Sequence, residues 1–184
     1  MLSDIDIVRL CNLKDMVQPF SFDLVQPCSY DVRLGHGFMF YDVIPGEIGN
    51  YIDASEKKLH GVKTYMIYGK SILLEPGDLC LGTTIETVNL PDDIGAKFEG
   101  KSSLGRIGLS THVTAGFIDS GFHGQITLEM QNCNKVPINV SVGMKIGQLS
   151  FYRLSSPSAH PYGSPGLGSH YQDQTGVTGA RGDK

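Results

Sequence analysis

The chain has 184 residues, enough for one domain with a sizeable core, and its 23 Gly and 9 Pro without a single Trp argue for many turns between short strands and against a helical bundle. A formal net charge of -4 speaks against a nucleic-acid binder, which would have to neutralise many phosphates. A small polyanionic ligand would instead need a local basic cluster, helped by Mg²⁺.

The N-terminus, Met1-Leu2-Ser3-Asp4, lacks the basic and apolar run of a signal peptide, and no apolar stretch approaches the roughly 20 residues of a membrane helix. The expected location is the cytoplasm, with no membrane contact. There Cys11, Cys28, Cys80 and Cys133, scattered without CxxC spacing, are expected as free thiols. Ser3 and Asp6 have capping-box spacing with Asp in place of Glu or Gln, and Ile7, Val8, Leu10 and Cys11 recur at helical intervals, so a short amphipathic helix opens the domain. From about Asp31 the pattern changes to brief apolar runs punctuated by Gly, Pro, Asn and Asp. Residues 72–74, 79–84, 95–98, 125–131 and 145–151 read as strands. Turns are marked by Glu75-Pro76-Gly77-Asp78, Leu90-Pro91-Asp92-Asp93 and Val142-Gly143. The pattern predicts a mainly β domain, sandwich or barrel-like, over residues 1–155, with no internal repeat. Residues 156–184 are rich in Gly, Ser and Pro and cannot order themselves alone. They form either a disordered terminus or, given Tyr162, His170, Tyr171, Gln172 and Gln174, a flexible lid that orders over a ligand.

The densest chemistry lies between Glu99 and Gln131. Gly100-Lys101-Ser102-Ser103-Leu104-Gly105-Arg106 puts two hydroxyls and two cations among glycines. If Ser102 or Ser103 starts a helical turn, N–H groups and hydroxyls face an anion, and Lys101 and Arg106 add charge-assisted bonds to phosphate. The order is not that of a Walker A loop, and an ordinary helix cap is the competing reading. In the following strand, alternation puts Ile126, Leu128 and Met130 on one face and Thr127, Glu129 and Gln131 on the other. Glu129 is either a solvated residue or, if its face lines a pocket, a group able to shuttle protons. His112, the sequon Asn139-Val140-Ser141 and the tripeptide Arg181-Gly182-Asp183 carry weaker signals, read as structural, idle and coincidental.

These residues resemble the dCTP deaminases, most closely their bifunctional, dUMP-forming branch. The likeness rests on Pro27-Cys28-Ser29-Tyr30-Asp31-Val32-Arg33-Leu34, on Glu99 through Arg106, and on Thr114-Ala115-Gly116-Phe117-Ile118-Asp119. It continues through Gly143-Met144-Lys145-Ile146-Gly147-Gln148-Leu149 and through Ser156-Pro157 and His160-Pro161-Tyr162-Gly163, reaching about Gly176. It implies a dUTPase-like distorted β-barrel or jelly-roll with short helices, assembled as a homotrimer with sites between subunits. It implies deamination of dCTP and hydrolysis of the triphosphate to dUMP, ammonia and pyrophosphate, supplying dUMP for dTTP synthesis.

By the same resemblance Glu129 is the proton donor and acceptor, and Ser102 and Arg106 help activate the water and hold the pyrimidine edge and phosphates. Lys101, Ser102, Ser103, Leu104, Gly105 and Arg106 form the phosphate-binding run. Asp119 meets the deoxyribose 3′-hydroxyl, Thr127, Leu128 and Glu129 the base, and Gln148, Tyr162 and Gln174 complete the site. His170 stands where the family usually has Lys, which weakens the hold on a triphosphate. Gly116 and Phe117 mark bifunctionality, since single-function deaminases carry a bulkier residue at the Gly116 position. Mg²⁺ comes with the triphosphate of dCTP or dUTP, and dTTP is expected to inhibit through the loop from Thr111 to Ala115. Zinc is not expected: none of the 6 His is followed two residues later by Glu, and Pro27-Cys28 lacks its second Cys. A monofunctional deaminase releasing dUTP, a pure dUTPase and a catalytically silent nucleotide-binding trimer are the alternatives.

Overall fold

The computed structural model describes residues 1–181. It opens with α1 (Asp4–Lys14), followed by β1 (Val17–Gln18), a 3₁₀ turn (Phe22–Leu24), β2 (Val25–Gln26), β3 (Ser29–Arg33) and β4 (Gly37–Val43). Next come β5 (Tyr51–Asp53), β6 (Lys58–His60), β7 (Val62–Tyr68), β8 (Ser71–Leu74), β9 (Leu79–Asn89) and β10 (Ile94–Gly100). The helical turn α2 (Ser102–Gly105) precedes β11 (Leu109–Ser110), β12 (Phe117–Ile118), β13 (His123–Asn132), β14 (Ile138–Ser141) and β15 (Lys145–Arg153).

The opening helix forms where the sequence puts it, but its cap differs in detail. Ser3 has the extended backbone of a cap and its carbonyl takes the Ile7 N–H, yet its side chain makes no capping bond. Asp4 and Asp6 in the first turn and Lys14 in the last complement the helix dipole. Asp15, at φ 52°, ends the helix in the left-handed region. Ile7 and Cys11 are buried beneath it.

The strands form two antiparallel sheets and two ribbons. One sheet runs β11-β13-β9-β4-β7, with β1 added along β9; the other runs β12-β10-β15-β3-β2; β14 pairs with β8 and β5 with β6. Both sheets feed one core. Phe38, Cys80, Leu128 and Met130 enter it from the first, and Tyr30, Val32, Phe98, Leu149 and Phe151 from the second. All five strands expected from the sequence are present, with β9 running on to Asn89 and β13 beginning at His123. The β4–β7 pairing is less legible because its outer strand leaves Tyr65, Ile67 and Tyr68 exposed, without a clean alternation.

The longest pairing, β13 on β9, is irregular at its centre. Gln125 faces Thr87 and Thr127 faces Thr83, so Thr84, Ile85 and Glu86 together oppose the single residue Ile126. The polar groups freed there find side chains. The Ile126 N–H donates to Thr84 Oγ1 at 3.0 Å, and that hydroxyl donates to the Glu86 carbonyl at 2.7 Å. The Gln125 amide donates to the carbonyls of Thr84 and Ile85. The fully buried Glu86 carboxylate takes the Arg33 N–H at 2.7 Å and its Nε at 2.6 Å, tying one sheet to the other.

Residues 156–181 do not lie free of the body. The Tyr162 N–H donates to the Ser120 carbonyl, Asp173 N–H to that of His123, and Gln125 N–H to that of Gln174. Gly176 N–H reaches Gln125 Oε1 at 2.6 Å. The segment is thus ordered by what the body offers it, as a chain this poor in apolar residues requires, with Tyr162, Gln172 and Gln174 adding side-chain contacts to the backbone bonds. Gly182 and Asp183 of the Arg181-Gly182-Asp183 tripeptide lie outside the described residues. No helix among the described residues is long and apolar enough to cross a membrane.

Thr84→Val keeps the volume of a fully buried side chain but strands the Ile126 N–H and the Glu86 carbonyl. At 1–3 kcal/mol per stranded group the expected loss is about 3 kcal/mol. In a chain of this size that lowers Tm by roughly 6–12 °C in a thermal melt. An unchanged Tm would show that the hydroxyl is dispensable to the irregularity.

Candidate active site

Beyond the irregularity β13 alternates strictly. Leu128 and Met130 are fully buried in the core, which turns Thr127 and Glu129 to the opposite face. That face lines a cavity of about 950 Å³, walled by Phe40, Tyr65, Leu81, Phe117, Ile118 and Asp119 and by Tyr162, Tyr171 and Gln174 of the tail. Its size and its mix of aromatic walls with few polar groups suit one small organic ligand. Ile126, expected to share the core face of Leu128, is only half-buried and also lines the cavity, because it sits at the irregularity.

Glu129 is half-buried, and its Oε2 accepts the Val113 N–H at 3.3 Å. The carboxylate therefore holds the loop from Thr111 to Ala115. Asp119 stands exposed at the edge, lining both this cavity and a smaller one of about 340 Å³ that contains His160 and His170. The His170 carbonyl takes a bond from Arg181 Nη1 at 2.6 Å. Tyr162 packs against Phe122, with its hydroxyl accepting the Tyr171 N–H. Gln174 is buried. Its amide donates to the Gln125 carbonyl at 2.7 Å, while its buried Oε1 has no partner among the described residues. Burial pushes the Tyr41 phenol above its ordinary value, with Tyr171 adding to the shift, so it stays a neutral hydrogen-bonding group at the cavity wall.

The other expected site residues lie apart. None of Lys101 to Arg106 lines either cavity. α2 is a single turn in which Leu104 N–H and Gly105 N–H both reach the Lys101 carbonyl. Lys101, and not a serine, holds the cap position, so Ser102 and Ser103 are left exposed with Gly105 and Arg106 while Leu104 packs on the core. Lys101 Nζ lies 2.6 Å from Asp31 Oδ1, and Gln148 Oε1 accepts from Ser29 Oγ at 3.0 Å. Leu128 offers only its backbone, because its side chain is in the core.

Gly116 has a packing reason of its own. Its carbonyl accepts the Phe98 N–H at 2.7 Å, and a Cβ there would stand 2.7 Å from the Phe98 carbonyl oxygen. The close approach that glycine permits is thus to β10. Phe117 beside it is 71 % exposed with its ring at the cavity. The cysteines are all free: burial pushes the Cys11 thiol up to about 11 and Cys80 up to about 12, and Cys28 and Cys133 are exposed.

The sequence did not disclose the walls supplied by β4 and β7, Phe40 and Tyr65, nor the contacts of Ser29 with Gln148 and of Asp31 with Lys101. The signal for Ser29 and Asp31 was in the Ser29-Tyr30-Asp31-Val32 run, where two polar residues alternate with core residues.

A model of the dCTP deaminase-like family matches residues 1–154. The dCTP deaminase, dUMP-forming, of Nocardioides sp. is 46% identical over 183 residues, spanning 98% of this chain and 94% of the relative. The protein of the same description from Streptomyces coelicolor is 45% identical over the same shares. Among solved structures, the 2′-deoxycytidine 5′-triphosphate deaminase of Agrobacterium tumefaciens matches 82% of this chain with a TM-score of 0.61 and 28% identity. This chain spans 45% of the length of that one.

Proposed function

The chain belongs to the dCTP deaminase-like family, and from that premise we propose that it deaminates dCTP and hydrolyses the triphosphate, releasing dUMP, ammonia and pyrophosphate. The observation that carries the chemistry is the half-buried Glu129, held by a core-anchored strand at the wall of a cavity large enough for a nucleoside. In the proposed step Glu129 takes the proton of a water as that water adds to C4 of the cytosine, then delivers it to the departing amine. One carboxylate thus serves as base and then acid, each role being worth about 10²–10⁴-fold. Asp119 at the cavity edge suits the 3′-hydroxyl, Thr127 and the Leu128 backbone the base, and Tyr162 and Gln174 close the site from the tail.

The phosphate half has to come from elsewhere, since Lys101 through Arg106 line neither cavity of the same chain. A homotrimer with sites between subunits supplies it: one copy brings Glu129, and its neighbour brings Ser102 to the water and Arg106 to the carboxylate or the phosphates. Exposed Tyr65, Ile67, Tyr68, Ile107, Val113 and Phe117 provide apolar surface to bury in such an assembly. Mg²⁺ belongs to this reading as part of the substrate. No group of three or more His, Cys, Asp or Glu converges among the described residues, so the ion takes its oxygens mainly from the triphosphate, whose charge it screens. His170 gives the triphosphate a weaker partner than lysine does. dTTP is proposed to inhibit by moving the Thr111–Ala115 loop, which would withdraw the Val113 N–H from Glu129.

Incubation of the protein with dCTP and Mg²⁺, with products resolved over time, tests the reading. dUMP and pyrophosphate should appear without accumulating dUTP, and added dTTP should slow their release. Gly116→Val should let dUTP accumulate. Release of dUTP by the unaltered chain would make it a monofunctional deaminase, and flat kinetics across dTTP would remove the inhibitor. Glu129→Gln should lower deamination by about 10²–10⁴-fold; undiminished turnover would sink the mechanism.

The shared site has its own test. Glu129→Gln and Ser102→Ala chains, each nearly inactive alone, should on mixing and reassembly regain about a quarter of full turnover, the fraction of interfaces pairing two intact contributions. A particle of 20.0 kDa in solution, or mixtures as inactive as their parents, would contradict it.

A further inference from the structure

β3 carries two buried polar side chains that the proposed chemistry does not use. Tyr30 and Val32 of this strand are fully buried in the hydrophobic core, and Ser29 and Asp31, two residues apart, share its other face. The Asp31 side chain is 2 % exposed, and each of its oxygens has its own ammonium. Oδ1 lies 2.6 Å from Lys101 Nζ, and Oδ2 lies 3.1 Å from Lys145 Nζ. Ser29 Oγ donates to Gln148 Oε1 at 3.0 Å, and Gln148 is the direct cross-strand neighbour of Asp31. The two residues held from this strand, Lys101 just past the end of β10 and Gln148 on β15, both belong to the proposed nucleotide-binding set.

A carboxylate this buried persists only with counterions, and its grip on Lys101 runs both ways. An ammonium has three donors; Asp31 takes one, and with the side chain a quarter exposed the others remain open to an incoming oxygen. A lysine on a free four-carbon stem loses rotamer freedom when a ligand fixes it, and Lys101 has already lost it. Ser29 likewise occupies the carbonyl end of the Gln148 amide and leaves its NH₂ for the ligand. Without the carboxylate, Lys101 and Lys145 would face each other as like charges and Lys101 would swing away.

We propose that Asp31 is a positioning residue, its buried carboxylate pre-orienting Lys101 for the nucleotide's phosphates, with Ser29 orienting Gln148 in the same way. This rests on the reading of Lys101 as a phosphate ligand.

Steady-state kinetics of the full chain with Mg²⁺ and dCTP, for Asp31→Asn, Lys101→Met and the double variant, test it. Asp31→Asn is expected to raise KM about 3–10-fold, the cost of ordering one long side chain, while kcat changes much less. In the Lys101→Met background the same substitution should add almost nothing, because its partner is gone. A merely structural carboxylate would lower kcat, and by the same factor in both backgrounds. An unchanged KM in Asp31→Asn, or an equal effect in both backgrounds, overturns the positioning role while leaving the phosphate assignment of Lys101 intact. An unchanged KM in Lys101→Met overturns that assignment, and the positioning role with it. Should Asp31→Asn not fold, Asp31→Glu keeps the charge but moves the carboxylate by one methylene. A raised KM is expected there too, and an unchanged one overturns the role.

Discussion

Three residues of β9 stand opposite one residue of β13, and the placement of the proposed catalytic side chains follows from how that mismatch is absorbed. A sheet tolerates an unequal count only if the freed N–H and C=O groups are satisfied. Here the Thr84 hydroxyl and the Gln125 amide satisfy them. Below the irregularity the ladder resumes with Leu128 and Met130 locked in the core, and Glu129 has no choice but the cavity. The same Gln125 receives the tail, through Gln174 and Gly176. One local departure from regular pairing therefore aims the carboxylate and docks the segment that covers it.

The two sheets divide the work. The first bears Glu129, Thr127, Phe40 and Tyr65; the second bears Lys101, α2 and Gln148, steadied by β3, and lends Phe117 of β12 to the cavity wall. Lys101 through Arg106 thus stand away from the cavity that Glu129 lines, and in the proposed shared site a nucleotide meets both across a contact between copies. This arrangement lets each half be rigid. Lys101 can sit in an ion pair with a buried carboxylate and Glu129 on a core-anchored strand, with neither needing a long loop to reach the other.

Much of this was legible in the residues. Strands with core residues at alternate positions, such as β13 and β15, announce themselves, and turn chemistry marks their ends. β4 and β7 do not, because Tyr65, Ile67 and Tyr68 on an exposed surface break the contrast between inside and outside. The tail read as unable to order itself, which is true of its composition. What its residues could not disclose is that the sheet offers the unpaired Gln125 groups to which it binds. Ser102 looked like a cap and is not one, since Lys101 takes that position and the hydroxyls stay exposed. The ion pair between Asp31 and Lys101 joins residues 70 apart in the chain, so neighbouring residue types could not signal it.

Gly116 shows how a local packing limit can reach the chemistry. The loop that precedes β12 is fastened at two points, by the Val113 N–H on Glu129 and by the Gly116 carbonyl on the Phe98 N–H. A side chain at 116 would meet the Phe98 carbonyl at 2.7 Å, an approach that backbone atoms cannot relieve by rotating away. The loop would have to rise from β10, and Val113, three residues earlier on the same short segment, would rise with it. The Glu129 carboxylate would then lose its bond from the Val113 N–H, and Phe117, which lines the cavity, would shift as well. The size of residue 116 therefore acts, through the backbone, on the loop that contacts the proposed catalytic Glu129. A glycine there need not touch the ligand to decide what the cavity can do.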